Sequence, residues 1–229
     1  HAVPPHRMTT PRAPRAIIFD LDGTLVDTVG TRVDSWMAVF PRFGIDPDPT
    51  FLAPLMGSDG KYLARMTAER YGVELKPGED AQIDIEAGAE FRVLNADPRP
   101  LPAVHDLLEA LTERGMPWAV ATSSLPDDAR ESVASLKLHE MPLICDGADV
   151  EHAKPAPDLL LKAAHLLEVE PAETWYVGDS RWDMVAAKAA GMRAIAVVTG
   201  ATPEEALTEA GADVIYPTLA EFQADLPAE

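Results

Sequence analysis

The chain has 229 residues, enough for one large domain or two unequal ones, and a formal net charge of −19. This charge leaves no excess of basic residues to bind a nucleic-acid backbone, which argues against a nucleic-acid partner. Its single cysteine, Cys145, cannot form an internal disulfide, and no apolar run reaches the roughly 18 residues of a membrane span. We therefore expect a cytoplasmic protein without a membrane partner.

Residues 1–14 are rich in proline and show no hydrophobic periodicity. They also lack the apolar centre of a signal peptide. We expect a disordered arm or, before Met8, a remnant of cloning, and we assign this segment no part in the mechanism.

The first predicted strand, Ala16–Phe19, contains no polar residue and is followed by Asp20, Asp22 and Gly23. Such a strand suits the interior of a parallel sheet that is covered on both faces. Its carboxyl end would then open into the crevice where α/β sheets bind ligands. Gly23 permits a sharp turn and a close approach of its N–H to an anion. An isolated Asp-x-Asp could equally begin a turn or cap a helix, so its interpretation as a ligand site depends on residues further along the chain.

Residues 29–97 show helical periodicity and no convincing strand. Helices are predicted over 27–43, over 51–71 with a break at the Gly57–Gly60 turn, and over 79–94. A stiff proline-rich crossing then follows at 97–102. We predict a helical cap domain over 29–97, inserted into an α/β core formed by residues 15–28 and 98–229.

From residue 101 onwards, strands and helices of ordinary length alternate. This alternation predicts parallel βαβ units, and hence an α/β fold with a doubly wound, mostly parallel sheet. The predicted helices cover 103–114, 127–136, 155–167 and 182–190, and the predicted strands cover 118–121, 142–145, 174–177, 194–198 and 214–216.

Polar side chains follow four of these strands. Because the carboxyl ends of parallel strands face one edge of a sheet, we expect the four groups to converge. Each has an ordinary structural explanation when taken alone, as a helix cap or a solvated loop charge, but their joint placement predicts a site. The groups are Asp20 with Asp22, Thr122 with Ser123, Lys154 before Pro155, and Asp179 with Asp183.

These segments resemble, in order, the four motifs of the haloacid dehalogenase superfamily of aspartate-nucleophile phosphotransferases. The resemblance spans nearly the whole chain from Arg15, and it implies a Rossmann-like core. The helical block is similar to the small cap of the branch that contains phosphoglycolate phosphatase and β-phosphoglucomutase. The segments that carry the resemblance are Asp20-Leu21-Asp22-Gly23-Thr24, Thr122, Lys154-Pro155 and Gly178-Asp179-Ser180-x-x-Asp183.

The resemblance, together with the chemistry of phosphoryl transfer, implies a role for each residue. Asp20 would be the nucleophile that forms an aspartyl-phosphate. Mg²⁺, bound by oxygen ligands, would cancel the repulsion between this carboxylate and the phosphate. The metal would be held by Asp20, Asp179 and the Asp22 backbone carbonyl, with Asp183 as a ligand or orienting a metal-bound water. The phosphate would be bound by Thr122, Ser123 and Lys154.

Asp22 predicts the reaction class, because a carboxyl group two residues after the nucleophile can protonate a leaving alkoxide and then activate water. Dehalogenases and phosphonatases of the superfamily lack this acid, so a phosphatase or a phosphomutase is favoured. Arg32 stands where β-phosphoglucomutase-like caps carry a histidine, which favours the phosphatase.

The cap loop at Gly57, Ser58 and Lys61 is expected to face the substrate when the cap closes. Lys61 after Met56-Gly57 weakly resembles a phosphonatase cap, an alternative that Asp22 opposes. We therefore predict a Mg²⁺-dependent phosphatase for a small phosphorylated metabolite, a monomer or homodimer. The alternatives are a β-phosphoglucomutase-like phosphomutase, a phosphonatase, and a non-enzymatic signalling or scaffold protein on the same fold.

Overall fold

The computed structural model describes residues 13–227, so the predicted arm lies almost entirely outside the described residues. In this range six strands form a single sheet in the order β3-β2-β1-β4-β5-β6. Every neighbouring pair is parallel, which confirms the predicted α/β fold. The strands are β1 (Ala16–Phe19), β2 (Trp118–Ala121), β3 (Leu143–Cys145), β4 (Thr174–Gly178), β5 (Arg193–Val197) and β6 (Val214–Tyr216).

Strand β1 lies at the centre of the sheet, between β2 and β4, and all four of its side chains are buried. Successive side chains of a strand point to opposite faces, so Ile17 and Phe19 pack into one apolar cluster and Ile18 into the other. This double burial explains why the strand contains no polar residue.

Helices cover both faces of the sheet. The cluster that contains Ile17 and Phe19 includes side chains of α5 (Val104–Glu113), α6 (Pro126–Ala134) and α10 (Leu219–Ala224). The cluster that contains Ile18 includes side chains of α7 (Asp158–Leu166), α8 (Arg181–Ala189) and α9 (Glu204–Glu209). The sheet is therefore doubly wound, and each predicted strand and helix of this part is present to within a few residues.

The segment between β1 and α5 is helical and has an apolar cluster of its own. Its helices are α1 (Val29–Val39), α2 (Pro49–Leu52), α3 (Gly60–Arg70) and α4 (Glu79–Leu94), with 3₁₀ turns at Phe40–Phe43 and Ala53–Leu55. We refer to residues 29–97 as the cap; their treatment as a separate domain stays a prediction.

The predicted helical span 51–71 is interrupted at the predicted Gly57–Gly60 turn, with α2, which begins at Pro49, before the turn and α3 after it. Gly57 has a φ of +88°, a left-handed conformation that ends regular helix. Asp59 then accepts a hydrogen bond from the Tyr62 N–H at 2.9 Å and caps the start of α3. Among the described residues, no helix combines the length and apolarity that a membrane crossing needs.

The double burial of β1 makes a prediction about stability. Ile18→Ala should lower the free energy of unfolding by about 2–5 kcal/mol, because the side chain is fully buried and a cavity would remain. Chemical denaturation monitored by circular dichroism measures this change. The control is Ile85→Ala on α4, where the side chain is 60% exposed and the change should stay within about 0.5 kcal/mol. Equal losses in the two variants would contradict the assignment of β1 to the core.

Candidate active site

The structure brings the predicted groups together at the carboxyl edge of the sheet, around a fully buried lysine. The Lys154 Nζ lies 2.6 Å from Asp20 Oδ1 and 2.7 Å from Asp183 Oδ1. Burial lowers the pKa of Lys154, but the two carboxylates outweigh burial and hold this pKa above its usual value. Lys154 is therefore a permanent cation that joins the segment after β1 to the segment after β4.

Asp183 is occupied by donors from the protein itself. Its Oδ2 accepts hydrogen bonds from the Ser180 backbone N–H at 3.0 Å and the Ser180 hydroxyl at 2.6 Å, as part of a capping box at the start of α8. Its Oδ1 faces Lys154 and the Tyr176 hydroxyl, which lies 3.0 Å away. This geometry places Asp183 as a support for Lys154.

Tyr176 is a site residue that the sequence analysis missed. Its hydroxyl also lies 3.0 Å from the Ala121 carbonyl oxygen at the end of β2, so it links three strand ends. A tyrosine within an apolar strand is an ordinary core residue, and only its partners reveal the link.

The acidic residues form a candidate metal centre. One carboxylate oxygen from each of Asp20, Asp179 and Asp183 lies within 4.8 Å of the others. Asp20 Oδ2 is the buried side-chain oxygen without a hydrogen-bond partner among the described residues. Asp179 Oδ1 accepts a hydrogen bond from the Thr24 hydroxyl at 2.8 Å. The donor set of carboxylate oxygens fits a hard divalent cation such as Mg²⁺.

Lys154 compensates only part of the charge of these three carboxylates. Burial, followed by repulsion from Asp183, raises the pKa of Asp20 to about 7. The same two causes raise the pKa of Asp179 well above its usual value.

Glycines make room around Asp179, because a Cβ at Gly23 or Gly200 would overlap its carboxylate. Gly200 was not identified from the sequence. A cation between Asp20 and Asp179 would relieve their mutual repulsion.

A cavity of about 60 Å³ lies between the sheet edge and the cap. Asp20, Asp22, Thr122 and Ser123 line it from the core. Thr122 is buried, and its hydroxyl oxygen accepts a hydrogen bond from the Ser124 N–H at 3.1 Å. The predicted phosphate-binding residues thus lie beside the predicted nucleophile.

Asp22 is held by three donors. Its Oδ1 accepts a hydrogen bond from the Thr28 hydroxyl at 2.5 Å. Its Oδ2 accepts from the Ser124 hydroxyl at 2.6 Å and from the Arg32 guanidinium at 3.1 Å. Burial raises the pKa of Asp22, but Arg32 and these hydrogen bonds outweigh it and hold the pKa below its usual value. The closed arrangement therefore keeps Asp22 ionised, the form that can accept a proton.

Arg32 joins the cap to the core through a second carboxylate that the sequence analysis missed. Its guanidinium lies 3.1 Å from Asp128 Oδ2 and stacks 3.4 Å from the centre of the Phe91 ring. Arg92 binds the other oxygen of Asp128 at 2.7 Å. Asp128 is buried in the first turn of α6, where an acidic residue is common and gives no local signal of this role.

The predicted cap loop contacts the core directly. The Gly57 carbonyl accepts a hydrogen bond from the Ser123 hydroxyl at 3.1 Å, and the Asp59 N–H donates to the Lys154 carbonyl at 2.7 Å. Gly57 and Ser58 line the cavity, although the Ser58 hydroxyl donates to the Leu55 carbonyl at 2.7 Å.

Lys61 is exposed and lies outside the cavity lining. This position gives no support to a phosphonatase-like lysine. Trp182 of α8 contacts the cap, as its Nε1–H donates to the Pro54 carbonyl at 2.9 Å.

The comparisons with known proteins agree with this fold and site. The family model of haloacid dehalogenase-like hydrolases matches residues 17–197, and the chain belongs to this family. Fructose-1-phosphate phosphatase YqaB of Escherichia coli is 32% identical over 79% of this chain and 95% of its own length. Phosphoglycolate phosphatase 1 of Pseudomonas aeruginosa is 35% identical over 82% of this chain and 71% of its own.

The crystal structure of a hydrolase from Pseudomonas syringae matches with a TM-score of 0.87 at 27% identity, over 93% of this chain and 99% of its own. The predicted superfamily and fold are therefore confirmed. The protein is a haloacid dehalogenase-like hydrolase that acts on phosphate esters.

The buried position of Lys154 makes a second prediction about stability. Lys154→Met should lower the free energy of unfolding by about 3–5 kcal/mol, because Asp20 and Asp183 would lose the cation between them. The control is Lys188→Met, which removes an exposed ion pair with Asp213 and should cost at most about 1 kcal/mol. Urea denaturation measures both variants, and a similar small loss in each would overturn this account of Lys154.

Proposed function

We propose that the protein is a Mg²⁺-dependent phosphatase that hydrolyses the monoester of a small phosphorylated metabolite through an aspartyl-phosphate on Asp20. The observation that carries this proposal is the state of the Asp20 carboxylate. Lys154 holds one oxygen, and the other is buried at the sheet edge without a partner among the described residues. A carboxylate in this position can attack phosphorus once the repulsion between the two anions is cancelled.

Mg²⁺, when bound, would neutralise the charge shared by the carboxylate and the phosphate. Asp20, Asp179 and the Asp22 carbonyl would hold it. Lys154, Thr122 and Ser123 would orient the phosphate beside Asp20.

The reaction then has two steps. Asp20 forms a bond to phosphorus while the ester bond breaks, and the leaving oxygen takes a proton from Asp22. In the second step ionised Asp22 accepts a proton from water as the water oxygen attacks phosphorus. The bond from phosphorus to Asp20 breaks, and inorganic phosphate leaves.

The cap has to open during each cycle. Ligand pockets usually measure about 300–1,000 Å³, far more than the closed cavity of about 60 Å³. Opening would separate Arg32 from Asp22, and Asp22 could then carry the proton that the first step needs. Closing returns Arg32 to Asp22 and favours the ionised form that activates water.

The proposed nucleophile is tested by Asp20→Asn with a panel of phosphate monoesters and Mg²⁺. Phosphate release should fall at least about 10³-fold, and chelation of Mg²⁺ should abolish it in the unmodified protein. Asp34→Asn is the matched control, because it removes an exposed carboxylate from α1 and should retain activity. Substantial turnover by a purified, folded Asp20→Asn protein would rule out the aspartyl-phosphate route.

The two steps can be separated with Asp22→Asn, which keeps the side-chain shape but removes proton transfer, typically worth about 10²–10⁴-fold. With p-nitrophenyl phosphate the leaving group needs no proton, so the first step should continue while the second slows. We expect a burst of p-nitrophenol and a phosphate adduct on Asp20 in rapidly quenched samples by mass spectrometry.

With an alkyl phosphate, whose leaving group needs its proton at once, the burst should be absent. Unaltered hydrolysis of both substrates by Asp22→Asn would show that Asp22 is not the acid and base.

A further inference from the structure

One carboxylate that lines the cavity has no part in the steps above. Asp84 belongs to α4 of the cap, and it lines the same cavity as Asp20 and Asp22. Within residues 13–227, its side chain forms no hydrogen bond and no ion pair. An unpaired carboxylate in a partly buried position costs free energy unless a ligand satisfies it.

The packing of the cap holds Asp84 in this place. Helix α3 starts with Gly60, and a Cβ at Gly60 would overlap the Asp84 carboxylate. One turn further along α4, Gly88 also lines the cavity, and a Cβ there would lie 2.9 Å from Asp128 Oδ2. A glycine inside a helix costs about 1 kcal/mol relative to alanine, so Gly88 makes α4 less stable than an alanine at the same position would. Asp84 therefore presents a carboxylate to the cavity, and the missing side chain at Gly88 lets Asp128 pack closely against α4.

The charged groups around Asp84 do not neutralise it. Asp59 and Lys61 face it from the start of α3, Arg32 from α1, and Asp128 from α6. Burial, followed by repulsion from Asp59, raises the pKa of Asp84 to about 6, although Arg32 and Lys61 oppose this shift. Asp84 is therefore mostly ionised at neutral pH.

The cations near the cavity have other partners or lie outside it. Arg32 is bound to Asp22 and Asp128, and Arg92 is bound to Asp128. Lys61 is exposed and outside the lining. A second anionic group on a substrate would thus meet the Asp84 carboxylate, and the described residues that line the cavity offer it no uncommitted cation. A hydroxyl group would meet a strong acceptor.

We propose that Asp84 determines the specificity of this site by accepting hydrogen bonds from the hydroxyl groups of an uncharged leaving group. The substrate is then the phosphate monoester of a sugar or polyol. Phosphorylated carboxylic acids and bisphosphates are disfavoured. This inference rests on the proposed phosphatase function, and it selects one class among the small phosphorylated metabolites.

The test compares kcat/KM for fructose 1-phosphate and glycerol 1-phosphate with kcat/KM for 2-phosphoglycolate, using the full chain with Mg²⁺. The unmodified protein should prefer the two hydroxyl-bearing substrates. In Asp84→Asn the ratio of sugar or polyol phosphate to 2-phosphoglycolate should fall about 10- to 100-fold, since a charged acceptor is lost and a repulsion is removed. Asp84→Ala, which has no acceptor at all, should lower the ratio at least as far.

Asp34→Asn removes an equal charge from an exposed position of the cap and should leave the ratio unchanged. An unmodified protein that prefers 2-phosphoglycolate would overturn the role of Asp84 while the phosphatase assignment stands. An unchanged ratio in both Asp84 variants would do the same. Absence of phosphate release from every monoester would instead overturn the proposed function, and this inference with it.

Discussion

The buried ion pairs of Lys154 are the interaction on which the site depends. Its ammonium group lies between Asp20 after β1 and Asp183 at the start of α8. A single cation therefore connects two segments that are far apart in the sequence. Burying one lysine and two carboxylates is unfavourable unless each charge finds partners. Here Ser180 and Tyr176 supply the remaining donors to Asp183. The second oxygen of Asp20 has no hydrogen-bond partner among the described residues, which leaves it available to the cation and the phosphate of the proposed reaction.

A second electrostatic connection runs between core and cap. Arg32 contacts Asp22 and Asp128 together, while Phe91 covers its guanidinium plane. Because the pKa of Asp22 depends on Arg32 of the cap, the position of the cap and the protonation of Asp22, the proposed general acid and base, are linked. The same contacts leave Asp84 as the cavity carboxylate without a hydrogen bond or ion pair in residues 13–227, which is the basis of the specificity proposed for it.

A chain with a net charge of −19 can bind an anionic substrate because of where its individual charges lie. Lys154 is buried at the sheet edge, and the acidic cluster beside it fits a divalent cation. Fields at short range in a buried site outweigh those of distant surface charges, which solvent and salt screen. The net charge therefore argues against a nucleic-acid partner but does not oppose the proposed binding of a small phosphate ester at this edge.

The sequence by itself determined the fold class and the edge of the sheet at which the main candidate site residues meet. An apolar strand followed by Asp20 and Asp22, and polar groups after later strands, have to meet at one edge, because parallel strands share their direction. Tertiary structure alone placed Tyr176, Asp128, Gly200 and Asp84 at the candidate site. Each of them has an ordinary local pattern, a core tyrosine, an acid in a helix or a loop glycine, and each is brought to the site by contacts with distant parts of the chain. The same reason applies to Asp22, which the sequence predicts as an acid and base, while contacts with Arg32, Ser124 and Thr28 hold its pKa below the usual value.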